Sequence, residues 1–340
     1  MPTPTLPPPP TPPMQVTWTS ALEGSDAREY DALVLASPAG HPAQTRAWAE
    51  VARAGAHVAA RYALVRLAGR AVGAALVLRP SLAGLGLPWA WIERGPVVAA
   101  VGDLAGVTRA VARAARRRGI ARLRVNPYFA DGDAAVAEES LRGLGFRDVQ
   151  RADGPHAATL RLAVGGRSDA EILAGKTREQ LRWRIKQADK AGAVARRGEP
   201  ADWPRLREMV RDLMRSQSRR DRPDAWWDAL RRHVADDARG AFFVCDHGGR
   251  VVAGAVYLRH GSRVIYGWGA AVAEKLGFSK AIPAHVAAIR WSRDAGCDSF
   301  DLGGIPLEDD ADPKRNAIAT FKLLFDRTRV RLVREHAGWC

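Results

Sequence analysis

Two similar stretches decide how this chain reads. Tyr62-Ala63-Leu64-Val65-Arg66-Leu67 leads through the turn at Gly69-Arg70 into Val72-Gly73-Ala74-Ala75-Leu76-Val77-Leu78. Far downstream, Phe242-Phe243-Val244-Cys245 leads through Gly249-Arg250 into Val251 to Leu258. Each is an apolar, β-rich run, a turn containing Gly, and a second such run, which predicts a hairpin. Both are followed by a helix and a further strand. Val107, Val111 and Ala114 lie on one helical face that closes at Gly119 and precedes the strand Ile120 to Val125. Val286, Ile289 and Ala295 do the same before Gly296 and Ser299 to Leu302. A Gly at the close of a helix fits a left-handed cap. Hairpin Gly and cap Gly are 50 residues apart in the first copy and 47 in the second. The order and spacing predict a tandem duplication of an α/β unit, with mixed sheets carrying helices.

The boundary is expected near Val164 to Arg167. Residues 1–13 read as a disordered Pro-rich tail, 14–165 as the first module and 166–340 as the second, with Met1 or Met14 as the start. Beyond the boundary, Ser168 to Glu171 and Thr177 to Gln180 have capping-box spacing, so two helical pieces meet at Gly175. The second piece carries Leu181, Ile185 and Ala188 on one side and Arg178, Arg182, Lys186 and Lys190 elsewhere. Asp202 is expected to cap a helix with Leu206, Met209, Val210 and Leu213 on its apolar face.

With 340 residues, 47% hydrophobic and 26% charged, the chain has the composition of a two-domain globular protein. No uncharged apolar run is long enough to cross a bilayer. The N-terminus lacks the charged and apolar segments of a signal peptide. Cys245, Cys297 and Cys340 have no metal-ligand spacing, and an odd count favours a reducing compartment, so a cytoplasmic location is expected. The net charge is +15, which fits a polyanionic partner such as nucleic acid, a diphosphate or a membrane surface. Only seven of the 52 basic residues are Lys. Arg-rich usage accounts for that preference, but not for the excess over the 37 acidic residues.

The densest chemical signal is Phe300-Asp301-Leu302-Gly303-Gly304-Ile305-Pro306, followed by Phe321-Lys322. Two glycines at a strand end allow close backbone approach to a ligand, or simply a turn. Lys322 adjoins an apolar stripe (Ile318, Phe321, Phe325); it either snorkels to water or stabilises charge on an acyl oxygen. Arg219 and Arg220 lie in a basic run before Trp226-Trp227, suited to phosphate or to a solvated loop. The chain has no nucleophile elbow, zinc-protease motif, P-loop or dinucleotide fingerprint. Transfer from an already activated donor, driven by positioning and electrostatics, fits what is left.

These residues resemble the FemABX-type aminoacyltransferases over about His41 to Trp339. Phe300 to Pro306 with Phe321-Lys322 is similar to that family's YDxGGI…FK pattern. Gln44-Thr45-Arg46-Ala47-Trp48 resembles its QSxxW. Trp183 to Ala188 resembles its R…I.KA helix, and Leu213-Met214 with Arg219-Arg220 its LM..T..R segment. The resemblance implies two tandem GNAT-like modules, here without a long coiled-coil arm. It also implies an aminoacyl-tRNA donor and a peptidoglycan precursor as acceptor, UDP-linked or lipid-linked, the latter with peripheral contact at the inner membrane surface. No metal or cofactor is implied. Catalysis would rest on Lys322, with Asp301 orienting the site. Gln44, Trp48, Arg53, Arg219, Arg220, Tyr266, Gly303, Gly304 and Phe321 would bind substrates. Ala52 stands where some members have Lys, with Arg53 beside it. Two rivals are an acetyl-CoA-dependent GNAT enzyme and a non-catalytic RNA-binding protein. Against the first, Glu274 to Lys280 holds a single Gly where a pyrophosphate cradle would sit. The second would use a basic helix and exposed Trp.

Overall fold

The computed structural model describes residues 13–55, 57–149, 156–175, 178–308 and 313–340. The first half runs β1 (Gln15–Thr19), α1 (Gly24–Ala36), α2 (Arg46–Ala54), β2 (Val58–Leu67), β3 (Arg70–Leu82), β4 (Leu85–Gly86) and β5 (Trp89–Ile92). It continues with β6 (Val97–Val98), α3 (Leu104–Arg116), β7 (Arg122–Val125), α4 (Asp131–Gly143) and β8 (Arg147–Asp148). The second half opens with β9 (Ala158–Ala163), α5 (Asp169–Ile172), α6 (Glu179–Lys190), β10 (Val194–Arg197), α7 (Trp203–Ser216) and α8 (Asp224–His233). It goes on through β11 (Gly240–His247), β12 (Arg250–His260), β13 (Arg263–Ala271) and α9 (Ala281–Asp294). The last elements are β14 (Ser299–Ile305), α10 (Pro313–Lys322), β15 (Arg329–Arg331) and β16 (His336–Trp339).

Both predicted hairpins form, β2–β3 and β11–β12. Their likeness extends to a local irregularity: the register shifts between Val65 and Arg66 in one, and between Cys245 and Asp246 in the other. Each shift lies the same distance before the turn glycine. The helices α3 and α9 follow, each ended by a glycine with positive φ, Gly119 at 75° and Gly296 at 73°. An L side chain there would crowd the following carbonyl.

The two sheets repeat one plan. The first orders its strands β1-β2-β3-β5-β7-β16-β8, and the second β10-β11-β12-β13-β14-β9-β15. The fourth and fifth strands pair parallel in both, β5 with β7 and β13 with β14. The sixth position is exchanged. β9 precedes the expected boundary at 165 yet inserts beside β14, while β16, at the C-terminal end, inserts between β7 and β8. Position 165 divides the sequence, but each sheet takes one strand from across it. A strand needs partners for its backbone amides and carbonyls wherever it is buried, so this reciprocal exchange ties the halves together.

Packing reinforces the tie. One apolar core draws on both halves, with Trp48, Leu64 and Leu76 from the first and Trp203, Leu206, Trp226 and Trp227 from the second. Separate cores underlie each sheet. The Ser168–Glu171 capping box forms, and Gly175 (φ 92°) separates α5 from α6. The second expected box falls on Thr177, outside the described residues, as do residues 1–12 of the Pro-rich segment. Asp202 precedes α7, but its side chain does not cap it. The carboxylate instead accepts from the Glu199 amide at 2.7 Å and pairs with Arg196 at 2.6 Å. Two bonds from the Arg196 guanidinium and one from the Glu199 amide already occupy the carboxylate.

Candidate active site

The parallel pairing of β13 with β14 stops at Ile265 and Asp301. Beyond that point the register of β14 against β9 shifts between Asp301 and Gly304, where Gly303 adopts φ 72°. A Cβ on Gly303 would stand 2.9 Å from the Tyr266 carbonyl oxygen, so only glycine fits this approach. Lys322, the last residue of α10, enters the same space. It is 6% exposed, and its ammonium donates to the Gly304 carbonyl oxygen at 2.9 Å and lies 5.2 Å from the Tyr266 ring centre. Burial pushes its pKa down to about 8, against the pull of the Asp301 carboxylate. The group remains mostly cationic at neutral pH. Among the side chains assembled here it is the mobile positive charge best placed to meet a developing oxyanion.

Asp301 is fully buried and heavily engaged. It accepts from Tyr128 Oη at 2.6 Å, Arg161 Nε at 3.1 Å and the Gly303 amide at 2.8 Å, and from the Thr159 hydroxyl. With four donors on two oxygens, the carboxylate is built to hold position rather than to exchange protons. Burial raises Tyr128 far above the usual phenol range, with Asp301 adding to the effect.

Tyr266 and Phe321 flank His285 of α9, with ring centres 4.8 Å and 5.3 Å from the imidazole. His285 also hydrogen-bonds Tyr257 Oη through Nδ1 at 2.7 Å. Burial, and secondarily the Lys322 charge, depress it to about 3. It is therefore neutral beside Lys322 and adds no competing cation. Burial likewise pushes the Tyr266 phenol up to about 12.

The structure thus brings Asp301, Gly303, Gly304, Lys322, Tyr266 and Phe321 together, and separates the other expected residues. Gln44 is a correction: it is wholly buried, donating to the Glu93 carbonyl at 2.5 Å and accepting from the Leu76 amide at 2.8 Å. Its amide fastens backbone segments and leaves nothing for a ligand. Trp48 is a second correction: it stacks on Trp268 at 6.0 Å with ring planes 9° apart, inside the shared core. Arg53 is exposed, donates to the Ser20 carbonyl at 2.8 Å and lies over Tyr62. It lines a pocket of about 750 Å³ between the modules, with Arg46, Arg239 and Arg259. Neither Lys322 nor Asp301 lines that pocket, nor do Arg219 and Arg220, which are exposed after α7. Trp226 and Trp227 are 3% and 2% exposed, so this pair packs into the core, and the exposed tryptophan of the basic helix α6 is Trp183.

Residues that sequence reasoning missed include Tyr128, Thr159, Arg161 and His285. Arg161 carried a signal, as a lone charge between Leu160 and Leu162 of an apolar strand. Tyr128 carried none, because its partner is 173 positions away.

At the loop before α9, Lys280 donates to the carbonyl oxygens of Val272 and Glu274. The first turn of α9 contains Pro283, which has no amide hydrogen to offer an anion. Among the described residues no cluster has the makings of a metal site, and no helix is long and apolar enough to cross a membrane.

Residues 175–315 match the family model for an acetyltransferase (GNAT) domain. The architecture is two tandem GNAT-like modules, with no long coiled-coil arm among the described residues. The arrangement is similar to that of FemX: the crystal structure of FemX superposes with a TM-score of 0.77 at 17% identity, over 92% of this chain and 96% of that one. A tandem GNAT protein from the clavulanic acid biosynthesis pathway gives 0.58 at 13% identity, over 96% and 98%. L-PGS from Bacillus licheniformis gives 0.53 at 12%, over 78% and 80%. No curated protein sequence is significantly similar to the chain.

Proposed function

We propose that the chain is an aminoacyltransferase of FemABX type, moving an amino acid from aminoacyl-tRNA to the peptide-stem amine of a peptidoglycan precursor. The observation that carries this reading is the buried Lys322 ammonium at the end of the paired β13–β14 segment, beside the Gly303–Gly304 backbone. In the reaction, the acceptor amine forms an N–C bond to the ester carbonyl carbon. Lys322 stabilises the tetrahedral oxyanion, the ester C–O bond breaks, and the amine's proton passes to the released ribose hydroxyl. Asp301 holds the strand end in place and is not the base. Arg219, Arg220 and Arg53 contact the phosphates of the acceptor.

The net charge of +15 supports a nucleic-acid donor. So does α6, where Trp183 is 57% exposed beside exposed Lys186 and Lys190, a surface suited to base stacking and phosphate. A cytoplasmic enzyme acting on a soluble or membrane-linked precursor is consistent with these features.

The test is incubation with a labelled pool of aminoacyl-tRNAs and both UDP-linked and lipid-linked precursors, read by mass spectrometry. Gain of one amino-acid residue by a precursor is expected, and its absence with every donor overturns the proposal. The match of residues 175–315 to an acetyltransferase domain favours a second reading, acetyl-CoA-dependent N-acyl transfer. Lys280 and Pro283 at the start of α9 weigh against a CoA pyrophosphate cradle there. Tight acetyl-CoA binding by calorimetry would reverse that preference.

A further inference from the structure

Three guanidinium groups converge on one phenol where the modules meet. Arg94 and Arg161 stand 5.1 Å from the centre of the Tyr128 ring, and Arg263 stands 5.6 Å away. A ring has two faces, so at least two of these cations share one. They come from remote parts of the chain: the loop after β5, the exchanged strand β9, and the start of β13. Only the tertiary fold assembles them.

Their charges are not balanced. Among the described residues, the ion pair these three arginines make is that of Arg161 with Asp301. That carboxylate is already shared with Tyr128, Thr159 and the Gly303 amide. Each arginine keeps a buried nitrogen with no hydrogen-bond partner: Arg94 Nη1, Arg161 Nη2 and Arg263 Nε. Buried cationic donors are normally satisfied, and a group left unpaired calls for an explanation. The Arg94 backbone is also held in an uncommon conformation, φ 54°, with its amide on Asn126 Oδ1 at 2.8 Å. Strain of this kind collects at ligand-holding positions. The cluster is not sealed, because the Arg161 side chain is 21% exposed.

We propose that Arg94, Arg161 and Arg263 form a binding site for an oxyanion, a carboxylate or phosphate group of a ligand, at the seam between the two modules. Guanidinium donors match either group in charge and geometry. Through Asp301, which contacts both Arg161 and the Gly303 amide, the anion site is coupled to the backbone beside Lys322. An anion seated on the arginines is therefore one shared carboxylate away from the Gly303 amide. The site does not depend on which acyl donor the protein uses.

The test is titration calorimetry of the whole chain with inorganic phosphate and, separately, with N-acetylalanine. Chloride at equal ionic strength is the reference, and N-acetylalanine amide the uncharged control. Saturable binding of phosphate or of the carboxylate, near one per chain, is expected, and the two arms tell which anion is preferred. Arg94→Gln and Arg263→Gln should each weaken it roughly tenfold or more, whereas Arg109→Gln, on the exposed side of α3, should not. Arg263→Lys, which keeps the charge but loses the fork, should weaken it less than Arg263→Gln. Wild-type protein binding neither anion better than chloride overturns the proposal, with no variant needed. So does wild-type affinity in both folded Gln variants. Because binding is read without turnover, failure of the aminoacyl-transfer assay leaves this result standing.

Discussion

The Asp301 carboxylate accepts a 2.6 Å hydrogen bond from the hydroxyl of Tyr128, joining β14 of the second sheet to a loop of the first module. Both residues are buried, and one bond links the candidate active site to the module seam. Removing the donor leaves a buried carboxylate short of one partner. Tyr128→Phe is expected to cost about 2 kcal/mol of stability, measured by urea unfolding. Turnover should fall through kcat more than KM, since the phenol positions Asp301. A variant of unchanged stability would show that Asp301 does not need this bond.

Lys322 should trade stability for function. Its pKa falls from 10.5 to about 8 on folding, so between these values the unfolded chain binds more protons. Stability from this group therefore rises with pH across that window, and the cost is fully present below it. Lys322→Met should raise stability at pH 7 by about 2 kcal/mol while cutting turnover by two orders of magnitude or more. Full activity in the folded variant would remove Lys322 from catalysis.

The same group sets a pH limit. The oxyanion role needs the ammonium form, so turnover should decline above about pH 8 as the cation is lost. His285, held neutral at about 3, contributes no inflection near neutrality. A pH–rate profile that rises through pH 8 would point instead to Lys322 acting as a base.

Gly303→Ala should damage the site without touching a charged group. The position has φ 72°, and the added methyl would meet the Tyr266 carbonyl oxygen at 2.9 Å. The left-handed backbone alone costs about 1–2 kcal/mol. The expected result is lower melting temperature and lost turnover. Unaltered turnover would mean that the turn relaxes freely.

Deleting residues 336–340 should loosen the first module although they end the second. β16 lies between β7 and β8, and its loss exposes their edges. Hydrogen exchange should accelerate in residues 122–125 and 147–148 while β11 and β12 stay protected. Uniform protection would show that the exchanged strand is dispensable.

Much of this fold was legible because its signals are local. Apolar, β-rich runs around Gly69 and Gly249, and helices closing at Gly119 and Gly296, are readable within a few dozen residues. The site was legible in the contiguous stretches Phe300 to Pro306 and Phe321-Lys322, with Tyr266 added by the family resemblance. Gln44 and Trp48 stood in a recognisable pattern, yet they serve the core. A polar amide satisfied by backbone and one presented to a ligand look identical in sequence.

The sequence by itself determined the duplicated units and the glycine pair at a strand end, since these follow from backbone preference and short-range periodicity, whereas the entry of Lys322 into that turn is a tertiary contact. Only the tertiary structure decided that β9 and β16 change places, and that Tyr128, Thr159 and Arg161 close around Asp301. A strand's chemistry specifies that it must be paired, not with which strand. Partners more than a hundred residues apart meet only once both sheets have packed.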